Sequence, residues 1–101
     1  MAVQSSIGRI GVTQTIAFDT TTAITNAFGT ETYWLRLVSN SACNFRIGDG
    51  AQTATAADPL LPANWETIVN VTPGQRISAL KAATGGLITA TAGTLWVTEL
   101  S

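Results

Sequence analysis

The run Tyr33-Trp34-Leu35-Arg36-Leu37-Val38-Ser39-Asn40-Ser41-Ala42-Cys43-Asn44-Phe45-Arg46-Ile47-Gly48 decides the fold class. Tyr33, Leu35 and Leu37 alternate with Trp34, Arg36 and Val38, and Cys43, Phe45 and Ile47 alternate with Asn44 and Arg46. A period of two sends successive side chains to opposite faces of a pleated strand, so each half of the run reads as a strand. The first half is apolar-rich in both phases, which suits a central strand. Ser39-Asn40-Ser41 is turn chemistry, so the two strands are expected to form a hairpin, closed beyond Ile47 by Gly48-Asp49-Gly50.

The same period extends in both directions. Toward the N-terminus, Ile10, Val12, Ile16 and Phe18 alternate with Thr13 and Thr15 and predict a long, bent strand. Asp19 to Thr30 has weak periodicity and reads as an excursion or a broken edge strand. Toward the C-terminus, Ala51 to Asp58 is Ala/Thr-rich, stops before Pro59, and reads as an exposed loop. Trp65, Thr67, Val69 and Val71 alternate with Glu66, Ile68 and Asn70, and Thr72-Pro73-Gly74-Gln75 places Pro and Gly where a type II turn wants them. A second hairpin is therefore expected, with Arg76 to Leu80 as its return strand. Leu95, Val97 and Glu99 against Trp96, Thr98 and Leu100 give a last strand. No helix signature competes. About six to eight short strands punctuated by turns predict an all-β fold, a single antiparallel β-sandwich of jelly-roll-like form. The organisation expected is one domain, with residues 1–30 as an N-terminal strand or arm with a loop and 31–101 as the sandwich core.

Composition narrows the function. The chain has 101 residues, 46% hydrophobic and only 11% charged, with a formal net charge of −1. An ordinary soluble domain carries roughly 25% charged residues. So few charges leave little electrostatic repulsion between copies, and association through some face is expected. The five basic residues, Arg9, Arg36, Arg46, Arg76 and Lys81, are scattered singly. They form no cluster to neutralise phosphates, so nucleic acid is not an expected partner. No window reaches the ~20 apolar residues of a membrane span, and Met1 to Ser6 lacks a secretory profile, so a soluble protein is expected. Cys43 is the single cysteine and reads as a packed core thiol made in a reducing compartment.

Chemistry is sparse. There is no His, which removes Ser-His-Asp, Cys-His and His-based metal sites. Asp19, Glu31, Asp49, Asp58, Glu66 and Glu99 share no motif spacing, so no catalytic carboxylate pair is expected. Gly8-Arg9-Ile10-Gly11 and Gly48-Asp49-Gly50 lead into no helix and read as tight turns. Gly48-Asp49-Gly50 with Asp58 offers too few oxygen ligands for calcium. The chain is expected to be no enzyme and to hold no cofactor and no metal. Trp34, Trp65 and Trp96 lie inside strand patterns, where core packing is the ordinary role of tryptophan; the alternative is an exposed platform for stacking a sugar.

Four pieces stand in a specific order: Leu35 to Gly48, Leu61-Pro62-Ala63-Asn64, Val71-Thr72-Pro73-Gly74-Gln75-Arg76-Ile77-Ser78-Ala79-Leu80, and Leu95-Trp96-Val97-Thr98-Glu99-Leu100. In this the chain resembles small virion proteins of tailed bacteriophages, of the capsid decoration or cement type. The resemblance implies a sandwich or jelly-roll module on the capsid surface of the virion, made in the bacterial cytoplasm. It implies the major capsid protein as partner and a homo-oligomer, a dimer or higher, on the shell. The N-terminal thirty residues fall outside the resemblance. Val3, Ile7, Ile10 and Val12, on a strand or arm running to Phe18, are the first candidates for partner contact, because an open strand edge can add its backbone hydrogen bonds to a neighbour. A tail or adaptor module and a carbohydrate-binding sandwich remain the alternatives.

Overall fold

Leu35 and Leu37 lie fully buried while Arg36 between them faces out, so the alternation of the opening run is realised as a strand. The structure, a computed structural model, describes residues 10–83 and 91–100, and every regular element among them is a strand. In chain order these are β1 (Ile10–Phe18), β2 (Ala23–Ile24), β3 (Trp34–Ser39), β4 (Cys43–Gly48), β5 (Leu60–Leu61), β6 (Glu66–Asn70), β7 (Arg76–Lys81) and β8 (Gly93–Leu100). They form two four-stranded sheets, β1-β8-β3-β6 and β2-β7-β4-β5, with every pairing antiparallel.

The pairing has a simple logic. β1 pairs with β8, β2 with β7, β3 with β6 and β4 with β5, as in one long hairpin folded back on itself. Rolling that hairpin sets β8 beside β3 and β7 beside β4, which is the strand order of a jelly roll. The all-β sandwich expected from the sequence is the fold. Between the sheets lie Ile16 and Phe18 of β1, Leu35 and Leu37 of β3, Cys43 of β4, Ile77 and Ala79 of β7, and Leu95 and Val97 of β8, together with Phe28, Leu61 and Val71. β3 is central, flanked by β8 and β6, as its two-sided apolar character predicts.

Both expected hairpins are overturned. β3 and β4 belong to different sheets, as do β6 and β7, so each turn is a corner from one sheet to the other. The serine-rich corner is fastened to the start of β8. The Asn40 side chain accepts from the Thr94 amide (2.8 Å), the Ser41 hydroxyl donates to the Thr91 carbonyl (2.7 Å), and the Ser39 hydroxyl donates to the Ser41 carbonyl (2.6 Å). The second corner keeps its expected local geometry: the Gln75 amide donates to the Thr72 carbonyl (3.1 Å), and Gly74 takes φ +87°. That is the positive φ that position i+2 of a type II turn requires.

The excursion from Asp19 holds the short β2 and then runs irregularly beside β7. There the Thr25 amide donates to the Ile77 carbonyl (3.0 Å), and the Ile77 amide donates to the Thr25 hydroxyl (3.1 Å). The segment from Ala51 to Asp58 is irregular, as expected of a loop, but it is not wholly exposed. Ala54 is buried, and its amide donates to the buried Ser78 hydroxyl (3.1 Å). Asp58 holds the end of that loop by accepting from the Thr55 amide (2.7 Å) and pairing with Arg46 (3.3 Å). The Thr55 amide keeps the Asp58 carboxyl below its ordinary range, assisted by Arg46.

Candidate interaction surface

In a sheet with one buried face, the residues between the core positions must point the other way. In the first sheet Leu35, Leu37, Leu95 and Val97 point inward, and so Trp34, Arg36 and Val38 of β3 and Trp96 and Thr98 of β8 point outward. The register extends this outer face across all four strands. Ile10 stands opposite Leu100, Leu100 opposite Trp34, and Trp34 opposite Asn70. One row along are Thr13, Thr98, Arg36 and Ile68, and beyond that Thr15, Trp96, Val38 and Glu66. Trp34, Ile68 and Trp96 are each 37–39% exposed, so large apolar side chains stand on this face in contact with water.

The tryptophans correct the sequence reading, in which core packing is their ordinary role. None of the three is buried, and Trp65, just ahead of β6, is 63% exposed. Trp34 and Trp96 share the outer face on neighbouring strands. Trp96 lies opposite Val38, four residues along β3 from Trp34, an offset of about 13 Å at the usual rise per strand residue. Arg36 and Thr98 lie between them, and the Arg36 guanidinium is paired with Glu66 on β6. This leaves the face close to electrically neutral.

Ile10 and Val12, contact candidates from the sequence, are both prominent, at 58% and 65% exposed. They lie on β1, the edge strand of the same sheet. Val3 and Ile7 lie outside the described residues. Between Ile10 and Thr13 the register with β8 shifts, so that Gly11 and Val12 together bulge opposite Glu99. Beside this bulge is a cleft of about 270 Å³, lined by Gly11, Val12, Glu31, Glu99 and residues around them. The fold thus brings Glu31 and Glu99 to one cleft although no spacing relates them in sequence.

Glu99 is buried, and its carboxylate is held by neutral donors: the Thr32 hydroxyl (2.6 Å), the Gly29 amide (2.9 Å) and the Gln14 side-chain amide (3.5 Å). Such a carboxylate fastens the loop before β3 to β8. Cys43 is buried as expected, and burial pushes its thiol up to about 11 against an opposing hydrogen bond from Ser39. At neutral pH it is a packed thiol and not a nucleophile. Among the described residues no three of Cys, Asp and Glu gather in a metal-binding group.

Sequence reasoning misses Val38 and Ile68, together with the outward placement of Trp34 and Trp96. The signal that could have found them is phase: Trp34 is out of step with Leu35 and Leu37, and Trp96 with Leu95 and Val97. Compared with models of protein families, with curated proteins and with solved structures, the chain matches none.

Proposed function

We propose that this protein is a bacteriophage virion structural protein, a capsid decoration or cement module that binds the major capsid protein shell and stabilises it. The observation that carries the proposal is the outer face of the first sheet, where Trp34, Ile68 and Trp96 stand exposed, with the half-buried Val38 among them, around one internally neutralised ion pair. Exposed apolar residues gathered on one face, with aromatic anchors at its centre, are the chemistry of a protein contact. Ile10, opposite Leu100, extends that face to the open edge at β1, where Val12 stands exposed in the bulge beside it. Repetition over a shell turns a weak single contact into firm attachment when two contacts are linked, since the second engagement is intramolecular. The jelly roll itself does not choose a function, because capsid proteins and lectins both use it.

A second reading has one observation in its favour. Trp34 and Trp96 are exposed on the same face, as a carbohydrate-stacking platform requires. A sugar also needs polar side chains free to bond its hydroxyls. Here Arg36 and Glu66 are committed to each other and the Thr13 and Thr98 hydroxyls to each other, Val38 and Ile68 fill neighbouring positions with hydrocarbon, and Asn70, opposite Trp34, is left as a single amide beside the rings. The protein contact is the better fit.

Co-sedimentation with empty shells of the cognate phage, with intact tails as control, tests the proposal. Saturable binding to shells at a fixed ratio is expected. Binding to tails alone, or to neither particle, sinks the decoration reading. Quenching of tryptophan fluorescence by oligosaccharides in the absence of any particle would favour the carbohydrate reading instead.

A further inference from the structure

Every sheet that does not close on itself leaves two edges, and among the described residues this sandwich has four of unequal kind. β2 and β5 are two residues long and offer little to pair with. β6 is five residues long and carries Glu66, already engaged by Arg36. β1 is nine residues long and, among the described residues, is paired on one side alone, by β8. Natural edge strands are guarded against pairing by lysines, prolines, inward-pointing charges, bulges or short length. From Ile10 to Phe18 there is no charged residue and no proline. The single bulge lies at one end, leaving residues 13–18 in unbroken register with β8.

We infer that β1 is completed by β1 of a second copy of this chain, running antiparallel across a two-fold axis. The two copies of the first sheet then form one continuous eight-stranded sheet. A second copy is the occupant that the charges favour. A two-fold contact sets each residue of the strand opposite another residue of the same strand, and opposed like charges destabilise such pairs, so an uncharged strand can pair with its own copy in any register without that cost. The outer-face side chains brought together are Ile10, Thr13, Thr15 and Ala17, β-branched or small, which suit cross-strand packing. The inference rests on the reading of this sheet as an attachment surface and adds to it: the dimer presents two outer faces side by side, and the attachment is bivalent.

The test is sedimentation equilibrium of the full chain, with no shells present. The wild-type protein is expected to be a dimer. Val12→Lys and Thr15→Lys, both at exposed edge positions, are each expected to raise the dimer dissociation constant at least about tenfold with the circular dichroism of the fold retained. Ile68→Lys, on the same face at the far edge, is expected to remain dimeric. A wild-type protein that is monomeric at about 0.5 mM overturns the inference, being weaker than any useful association. So does a dimer that survives in whichever of the two edge variants folds, or one that Ile68→Lys alone dissociates. A monomer that still binds shells defeats the edge pairing and spares the proposed function; a dimer that ignores shells does the reverse.

Discussion

Glu99 is the residue whose role could not be read from its neighbours in sequence, because its donors are Thr32, Gly29 and Gln14, brought in by the fold. Glu99→Ala leaves those donors without an acceptor, at about 1–3 kcal/mol for a buried unsatisfied group. Urea unfolding is expected to show a loss of about 2–4 kcal/mol, and Glu99→Gln, which keeps an acceptor oxygen, a smaller one. Leu37→Asp is expected to leave the chain unfolded by circular dichroism. An unpaired buried charge costs roughly 3–5 kcal/mol against a total stability of about 5–15. The fate of Cys43 and of Leu35 and Leu37 was legible because alternation within their own strands places all three inward. The folded state favours the neutral Cys43 thiol, so its contribution is present in full below pH 9.0, where an ordinary thiol ionises, and is lost as pH rises to about 11. The urea midpoint of the wild type is therefore expected to fall more steeply across that window than that of Cys43→Ala.

At the scale of elements, strands were easier to read than their partners. Period-two alternation identifies a strand from its own residues, and β3, β4, β6, β7 and β8 all lie where the alternation puts them. A turn between two strands looks the same in sequence whether it folds a hairpin or carries the chain between sheets. What distinguishes the corner at Ser39-Asn40-Ser41 is its bonding to Thr91 and Thr94, contacts some fifty residues away. Loop closure over such distances is decided by the whole fold and not by the turn. The Pro73-Gly74 corner has a local requirement that can be tested. Gly74 lies at φ +87°, and a methyl group placed on its Cα would meet open space, so Gly74→Ala is expected to cost about 1–2 kcal/mol in urea unfolding from backbone conformation alone. Gly93 is constrained differently. A Cβ there would stand 2.6 Å from the Asn40 side-chain oxygen and 2.7 Å from the Ser41 Cβ, so its substitution would push the β3–β4 corner away from β8.

For the whole molecule, low charge and exposed hydrocarbon have one consequence together. With 11% charged residues in the sequence and the Arg36–Glu66 pair neutralised within the outer face, attachment through that face is expected to change little between low and high salt. Surface ion pairs would be screened over that range, whereas apolar contacts would not. Saturation binding of Trp34→Ala/Trp96→Ala to cognate shells beside the wild type, both shown to be folded, tests attachment through the outer face directly. A loss of at least about tenfold in affinity is expected, the scale of losing aromatic anchors at the centre of a contact. Equal binding by the two proteins would contradict it, and would place the attachment surface elsewhere on the sandwich.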